Sequence, residues 1–98
     1  MQSEIDKLIE LLSLVAEEKL DCDVAESLAE KILWAEISEV GDVYSNLFHF
    51  WNDQDIREKD PEYKEMQDSE LSNLIHHLKN KEFGKACYIS FLGATPNS

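Results

Sequence analysis

The 98-residue sequence has little of what marks turn-rich, membrane or secreted proteins. It contains only three glycines and two prolines, which favours a helical protein over a β-sandwich. No apolar run approaches the roughly 20 residues that a membrane-spanning helix needs. The acidic start MQSEIDKLIE lacks the basic beginning of a secretion signal. These absences lead us to expect a cytoplasmic protein.

Cysteine is also scarce. Cys22 and Cys87 are the only two, and they lie far apart and at no metal-ligand spacing. In a chain without a secretion signal, the default interpretation is two free thiols. Neither cysteine has a sequence neighbour that would mark it as a nucleophile.

Motifs for catalysis or cofactor binding are missing as well. The sequence has no HExxH, no glycine-rich phosphate loop and no serine-centred elbow. His76 and His77 are neighbours on a predicted helix, so their side chains point about 100° apart and cannot share a metal unaided. The segment Asp53 to Asp55 is similar to the start of a calcium loop but lacks its glycine and terminal glutamate. We therefore expect no enzyme activity, no cofactor and no metal.

What the chain has in excess is negative charge. Its formal net charge is −12, made up of −8 over residues 1–40, −6 over 41–70 and +2 over 71–98. Such a field repels nucleic acid and anionic lipid and attracts basic proteins. We expect a basic protein partner, no direct nucleic-acid binding and no membrane binding, although acidity that serves only solubility is the alternative.

Apolar residues recur at helical spacing and predict an all-α protein, a compact antiparallel bundle of four to five helices. One domain is expected over residues 1–92, followed by a flexible tail over 93–98. Ser3 is the predicted cap of helix 1. Asp23 is the predicted cap of a second helix that runs to Val40 and ends at Gly41 in a left-handed conformation.

The rest of the chain is predicted in shorter pieces. Asp42 would cap helix 3, although helices 2 and 3 could also run together through Gly41. Residues 52–59 are predicted to be a loop with one turn around Ile56. Asp60 and Pro61 start the next helix, which could be interrupted near Ser69. Residues 83–91 could be helix or strand, and we favour a helix because a lone strand has no partner.

The large apolar residues on either side of Gly41 divide into two groups. Leu47, Phe48 and Trp51 are predicted to be core residues, whereas Trp34 and Phe50 fall off the main apolar stripes and could be either core or interface. Aromatic anchors inside a charged rim are typical of protein interfaces. The predicted partner-binding residues are Trp34, Glu36, Glu39, Asp42, Phe50, Asp53, Asp55, Asp60 and Glu62.

The acid-rich segments from Glu36 to Asp42 and from Asp53 to Glu62 resemble those of the small acidic helical immunity proteins that bacteria pair with secreted nuclease or contact-dependent toxins. The resemblance covers size, charge and helicity, and the aromatic pair of the helical colicin-immunity proteins is not matched. It implies a cognate basic toxin domain that the chain binds and blocks without chemistry.

Two other functions stay open at this point. A helical adaptor or anti-regulator that binds a basic DNA-binding protein would need the same charge. A homodimeric structural protein is the third possibility, with Trp34 and Phe50 meeting across a twofold axis.

Overall fold

The computed structural model describes residues 3–91, and within this range the chain forms helices and turns but no strand. The elements are α1 (Glu4–Ala16), α2 (Cys22–Glu30), a 3₁₀ helix (Trp34–Val40), α3 (Gly41–Asn52), α4 (Gln54–Lys59), α5 (Pro61–Lys79) and α6 (Phe83–Cys87). The all-α prediction is confirmed, with more helices than the four to five expected. The predicted tail over residues 93–98 lies outside the described residues.

The helices pack around one core. The longest, α5, lies against α1, α4 and α6, and α3 lies against the 3₁₀ helix, α2 and α6. Every element except α4 contributes buried apolar side chains, and the best buried include Leu8, Leu12, Val40, Val43, Leu47, Leu71, Leu74, Leu78 and Phe91. Burial of this apolar surface is the main stabilising term of the fold.

Two predicted helix starts are confirmed by their caps. The Ser3 hydroxyl accepts a hydrogen bond from the Asp6 backbone N–H at 3.1 Å and begins α1. The Asp60 carboxylate accepts the N–H groups of Glu62 and Tyr63 at 3.1 and 3.2 Å and begins α5. Each cap satisfies backbone donors that a helix N-terminus leaves without an intrahelical partner.

The prediction of one long helix from Asp23 to Val40 is wrong. Asp21, not Asp23, caps α2, and the helix ends at Glu30. The indole N–H of Trp34 donates to the Ala29 carbonyl at 2.9 Å, and the Leu33 N–H donates to the Glu4 carboxylate, 29 residues away. These contacts, which no local pattern indicates, replace the hydrogen bonds of a continued helix.

The junction before α3 also differs from the prediction. Gly41 has right-handed helical angles (φ −57°, ψ −34°) and is the first residue of α3 rather than a left-handed stop. Asp42 lies in the first turn of α3 and does not cap it, since Val40 holds the cap position without a side-chain bond. The break between the helices is real, but it covers residues 31–40, which include the 3₁₀ helix and the irregular backbone of Ile37 (φ −130°, ψ 49°).

Residues 52–59, predicted to be a loop with one turn around Ile56, instead contain the last residue of α3, Asp53 and the short helix α4. Helix α5 continues through Ser69 without interruption. Gln67 is fully buried and continues the inward stripe of α5 with Leu71, Leu74 and Leu78, which explains why the polar segment around it stays helical. The choice of helix over strand near the C-terminus is confirmed by α6.

Glu4 forms a polar tether between α1 and the segment after α2. One of its carboxylate oxygens accepts the Leu33 N–H at 2.9 Å, and the other pairs with Lys7 at 2.8 Å. The Leu33 N–H first, and then Lys7, lower the pKa of the Glu4 carboxyl. The tether therefore depends on an ionised carboxylate.

We expect Glu4→Gln to destabilise the protein at neutral pH and to matter little in acid. A carboxyl whose pKa is lower in the folded state stabilises the fold above its unfolded pKa, and this contribution is lost as the pH falls through the folded pKa. The difference in unfolding free energy between wild type and variant should therefore shrink below about pH 4. Urea titrations followed by tryptophan fluorescence at neutral and acidic pH measure this difference.

The control is Glu36→Gln, at an exposed side chain that forms no ion pair within residues 3–91. A pH-independent difference for Glu4→Gln would contradict the tether.

Truncation of the core should be costly on α5. Leu74 is 1% exposed, so Leu74→Ala removes buried apolar area and leaves a cavity. We expect a loss of about 2–5 kcal/mol in unfolding free energy. The matched change Leu33→Ala, at a side chain that is 54% exposed, should cost about 0.5 kcal/mol or less. Urea unfolding compares the two, and equal losses would mean that α5 is not central to the core.

Candidate protein-binding surface

An aromatic strip runs from the 3₁₀ helix onto α3. The Trp34 and Tyr44 rings lie 5.0 Å apart between centroids, and Tyr44 meets Phe48 edge to face at the same separation. Trp34 and Tyr44 are half-buried, and Phe48 is exposed. The prediction that Phe48 is a core residue is therefore wrong, whereas Leu47 and Trp51 are buried as predicted. Trp34 contacts α3 through Tyr44 and also keeps part of its ring at the surface.

Three of the predicted site residues lie beside this strip in sequence and are exposed. Glu36 and Glu39 are on the 3₁₀ helix and Asp42 is in the first turn of α3. None of the three forms an ion pair with another described residue. We call the set Trp34, Glu36, Glu39, Asp42, Tyr44 and Phe48 the acidic aromatic surface.

The backbone beneath the acidic aromatic surface is held by α6. The Cys87 thiol donates to the Glu39 carbonyl at 3.3 Å, and the Asn46 side-chain amide donates to the Cys87 carbonyl at 3.1 Å. Burial raises the pKa of the Cys87 thiol, which keeps it protonated and able to donate. Both cysteines are free, as predicted. The Cys87 thiol thus fixes the 3₁₀ helix to α6.

Phe50, another predicted partner-binding residue, is 2% exposed. Its ring packs edge to face on Trp51 and Phe91 at 5.5 and 5.2 Å, and the Arg57 guanidinium covers it at 3.9 Å from the centroid. Of the two interpretations that the sequence left open for Phe50, the structure places it in the core. With so little of the ring exposed, Phe50 cannot serve as an aromatic anchor for a protein partner.

Asp53 is also engaged within the fold. Its carboxylate accepts the Tyr63 hydroxyl at 2.6 Å and the Gln67 amide at 3.0 Å. The Gln67 amide donates in addition to the Phe91 carbonyl at 2.8 Å, and its oxygen accepts from Arg57 at 2.5 Å. Burial, and then the Asp53 carboxylate, raise the pKa of Tyr63 to about 12. These side chains form a polar cluster that ties α4 and α5 to the end of the described chain.

The remaining predicted residues, Asp55, Asp60 and Glu62, are exposed around the start of α5, and Asp60 is the cap described above. Asp53 follows Asp42 by eleven positions along α3, which at 1.5 Å per residue separates the two acidic groups by about 16 Å. The predicted site therefore divides into two groups at opposite ends of α3. Only the acids of the first group lie in sequence within the aromatic strip, in which Phe48 is exposed and Trp34 and Tyr44 are half-buried.

Sequence reasoning missed a cleft between the α1–α2 connection and the start of α5. It has a volume of about 680 Å³, and its lining includes Leu20, Cys22, Phe50, Arg57, Pro61 and Lys64. The one signal that could have pointed to it is that Arg57 is the single arginine of the chain and stands in a carboxylate-rich segment. Its inward orientation follows from tertiary contacts that the sequence pattern does not encode.

Two kinds of site are not found in the part of the chain that the structure describes. No group of three or more histidine, cysteine, aspartate or glutamate side chains is placed to hold a metal ion within residues 3–91. Over the same range, each helix is too short or too polar to cross a membrane.

Comparison with known proteins does not assign the chain to a family. The chain matches no family model, and no curated protein and no solved structure is significantly similar to it. The surfaces described above therefore have to be interpreted from their own chemistry.

The polar cluster allows a graded test of its structural role. Tyr63→Phe removes one donor to Asp53 and should cost about 1 kcal/mol in unfolding free energy. Gln67→Leu leaves the buried Arg57 N–H and the Phe91 carbonyl without their partner and should cost about 3 kcal/mol. Urea unfolding gives both values. A Gln67→Leu variant as stable as wild type would show that the cluster does not hold these elements together.

Proposed function

We propose that the chain is a non-catalytic protein-binding module whose acidic aromatic surface binds a basic protein domain. The observation that carries the proposal is the combination of the Trp34–Tyr44–Phe48 strip with three exposed acids that form no ion pair within residues 3–91. Aromatic side chains supply most of the binding energy at protein interfaces, and charged residues form the rim.

The charge of the chain supports a basic partner. With −12 over 98 residues, the protein produces a negative field that speeds encounter with a positively charged surface and disfavours acidic partners. The three acids of the surface form no ion pair within residues 3–91. A basic side chain of the bound domain can therefore pair with them without breaking an existing ion pair.

The partner that we propose is a toxin domain of the nuclease type, and the function is that of an immunity protein. Nuclease grooves are basic because they hold phosphates. An acidic surface placed over such a groove would compete with nucleic acid by charge and by volume, without any catalytic step. The resemblance to acidic helical immunity proteins points to the same role.

The test begins with capture of partners from the source organism at about 20 and 500 mM NaCl. Attraction between exposed charges is screened much more strongly at the higher salt concentration. We expect one basic domain at low salt and little at high salt. The captured domain is then purified, and its association rate with the chain is measured. It is also expressed in bacteria with and without the chain, and the proposed function requires that co-expression restores growth.

Charge reversal locates the interface. Glu36→Lys, Glu39→Lys and Asp42→Lys together should slow association at low salt by at least about tenfold. The matched control reverses Asp55, Glu62 and Glu65, which are also exposed, and changes the net charge by the same amount. A larger effect of the control would move the interface to the start of α5. Capture of a DNA-binding protein instead would support the adaptor, and concentration-dependent dimerisation in sedimentation would support the homodimer.

A further inference from the structure

Arg57 is a buried cation on the wall of the cleft. Its side chain is 8% exposed, and one guanidinium nitrogen donates to the Phe50 carbonyl and to the Gln67 amide oxygen, both at 2.5 Å. The other terminal nitrogen contacts the Cys22 sulfur at 3.2 Å. These bonds use three of the five N–H donors of the side chain. All the groups that hold it are neutral.

Within residues 3–91, no direct contact neutralises the positive charge of Arg57. No ion pair joins it to any carboxylate of residues 3–91, and its link to Asp53 passes through the Gln67 amide. An arginine cannot lose its proton to escape burial, and a buried charge without a counter-ion is costly. In a chain with 21 acids, a buried arginine without an acidic partner is the exception that requires an explanation.

The cleft beside Arg57 has the properties of a small-molecule site. Its volume of about 680 Å³ lies within the range of ligand pockets, roughly 300–1,000 Å³. Val15, Leu20, Phe50 and Pro61 supply apolar lining. None of its lining residues belongs to the acidic aromatic surface, so the two sites are separate.

We infer that this cleft binds a small organic carboxylate with an apolar body. The carboxylate would pair with the Arg57 guanidinium through charge-assisted hydrogen bonds, and the apolar body would cover Leu20 and Pro61. Besides Arg57, the charged side chains that line the cleft are Lys19, Lys64 and the four acids Glu18, Asp21, Glu58 and Asp68. Because the acids outnumber the bases, an anion with more than one charge, such as phosphate, is disfavoured. One charge and an apolar tail therefore match the site best.

The test is an NMR titration of the full ¹⁵N-labelled chain with hexanoate. We expect amide shifts confined to the cleft, at Leu20, Cys22 and Arg57, with a dissociation constant on the order of millimolar. Hexylamine, which has the same tail and the opposite charge, and inorganic phosphate should not produce these shifts. Equal shifts with hexylamine, or no shifts with hexanoate, would overturn the inference.

Arg57→Met removes the charge and should weaken hexanoate binding by at least about tenfold. Because this variant could fail to fold, a second measurement uses the wild-type chain. Bound hexanoate should slow alkylation of Cys22 by iodoacetamide, since the Cys22 sulfur contacts the guanidinium, and should leave Cys87 unaffected. Unchanged alkylation of Cys22 at a hexanoate concentration tenfold above the NMR dissociation constant would place the ligand elsewhere.

Discussion

The buried amide of Gln67 is the interaction on which the second half of the structure depends. It accepts from Arg57 and donates to Asp53 and to the Phe91 carbonyl, so a single side chain of α5 joins α4, the end of α3 and the end of the described chain. Partly satisfied polar clusters are costly in a core, whereas a satisfied one specifies a single arrangement. The short helix α4, which has only six residues, owes its position to this cluster rather than to an apolar stripe.

How well the sequence predicts the fold depends on how local the determining contact is. The caps at Ser3 and Asp60 and the stripe of α1 are decided within one helical turn, so the pattern predicts them correctly. The end of α2 depends on Glu4, which lies 29 residues from the Leu33 N–H that it accepts. Periodicity alone cannot find such a contact, and the predicted helix therefore runs too far.

Helix α3 shows why the sequence pattern predicts the burial of only some of the aromatic side chains correctly. Val43, Leu47, Phe50 and Trp51 form one stripe, and Tyr44 and Phe48 form a second stripe that partly overlaps it in direction. Both satisfy helical spacing, so the sequence cannot decide which faces inward. The choice is made by Phe91 and Arg57, which cover Phe50 and leave Phe48 at the surface. Of the predicted site residues, the acids at the start of α3 and just before it are exposed, whereas Phe50 is a core ring.

The two proposed sites differ in how salt should act on them, and this follows from burial. The acids of the acidic aromatic surface are exposed, so counter-ions screen their attraction for a basic domain within about 10 Å at 0.1 M salt. The charge of Arg57 lies inside the fold and is screened much less. Salt also relieves repulsion among the carboxylates of a −12 chain and so stabilises the free protein. A basic partner relieves the same repulsion by pairing with the acids, and its binding stabilises the folded state by an amount that grows with the logarithm of its concentration relative to the dissociation constant. Screening therefore separates the two kinds of ligand: the binding of a basic domain should weaken with salt while the binding of a carboxylate in the cleft persists.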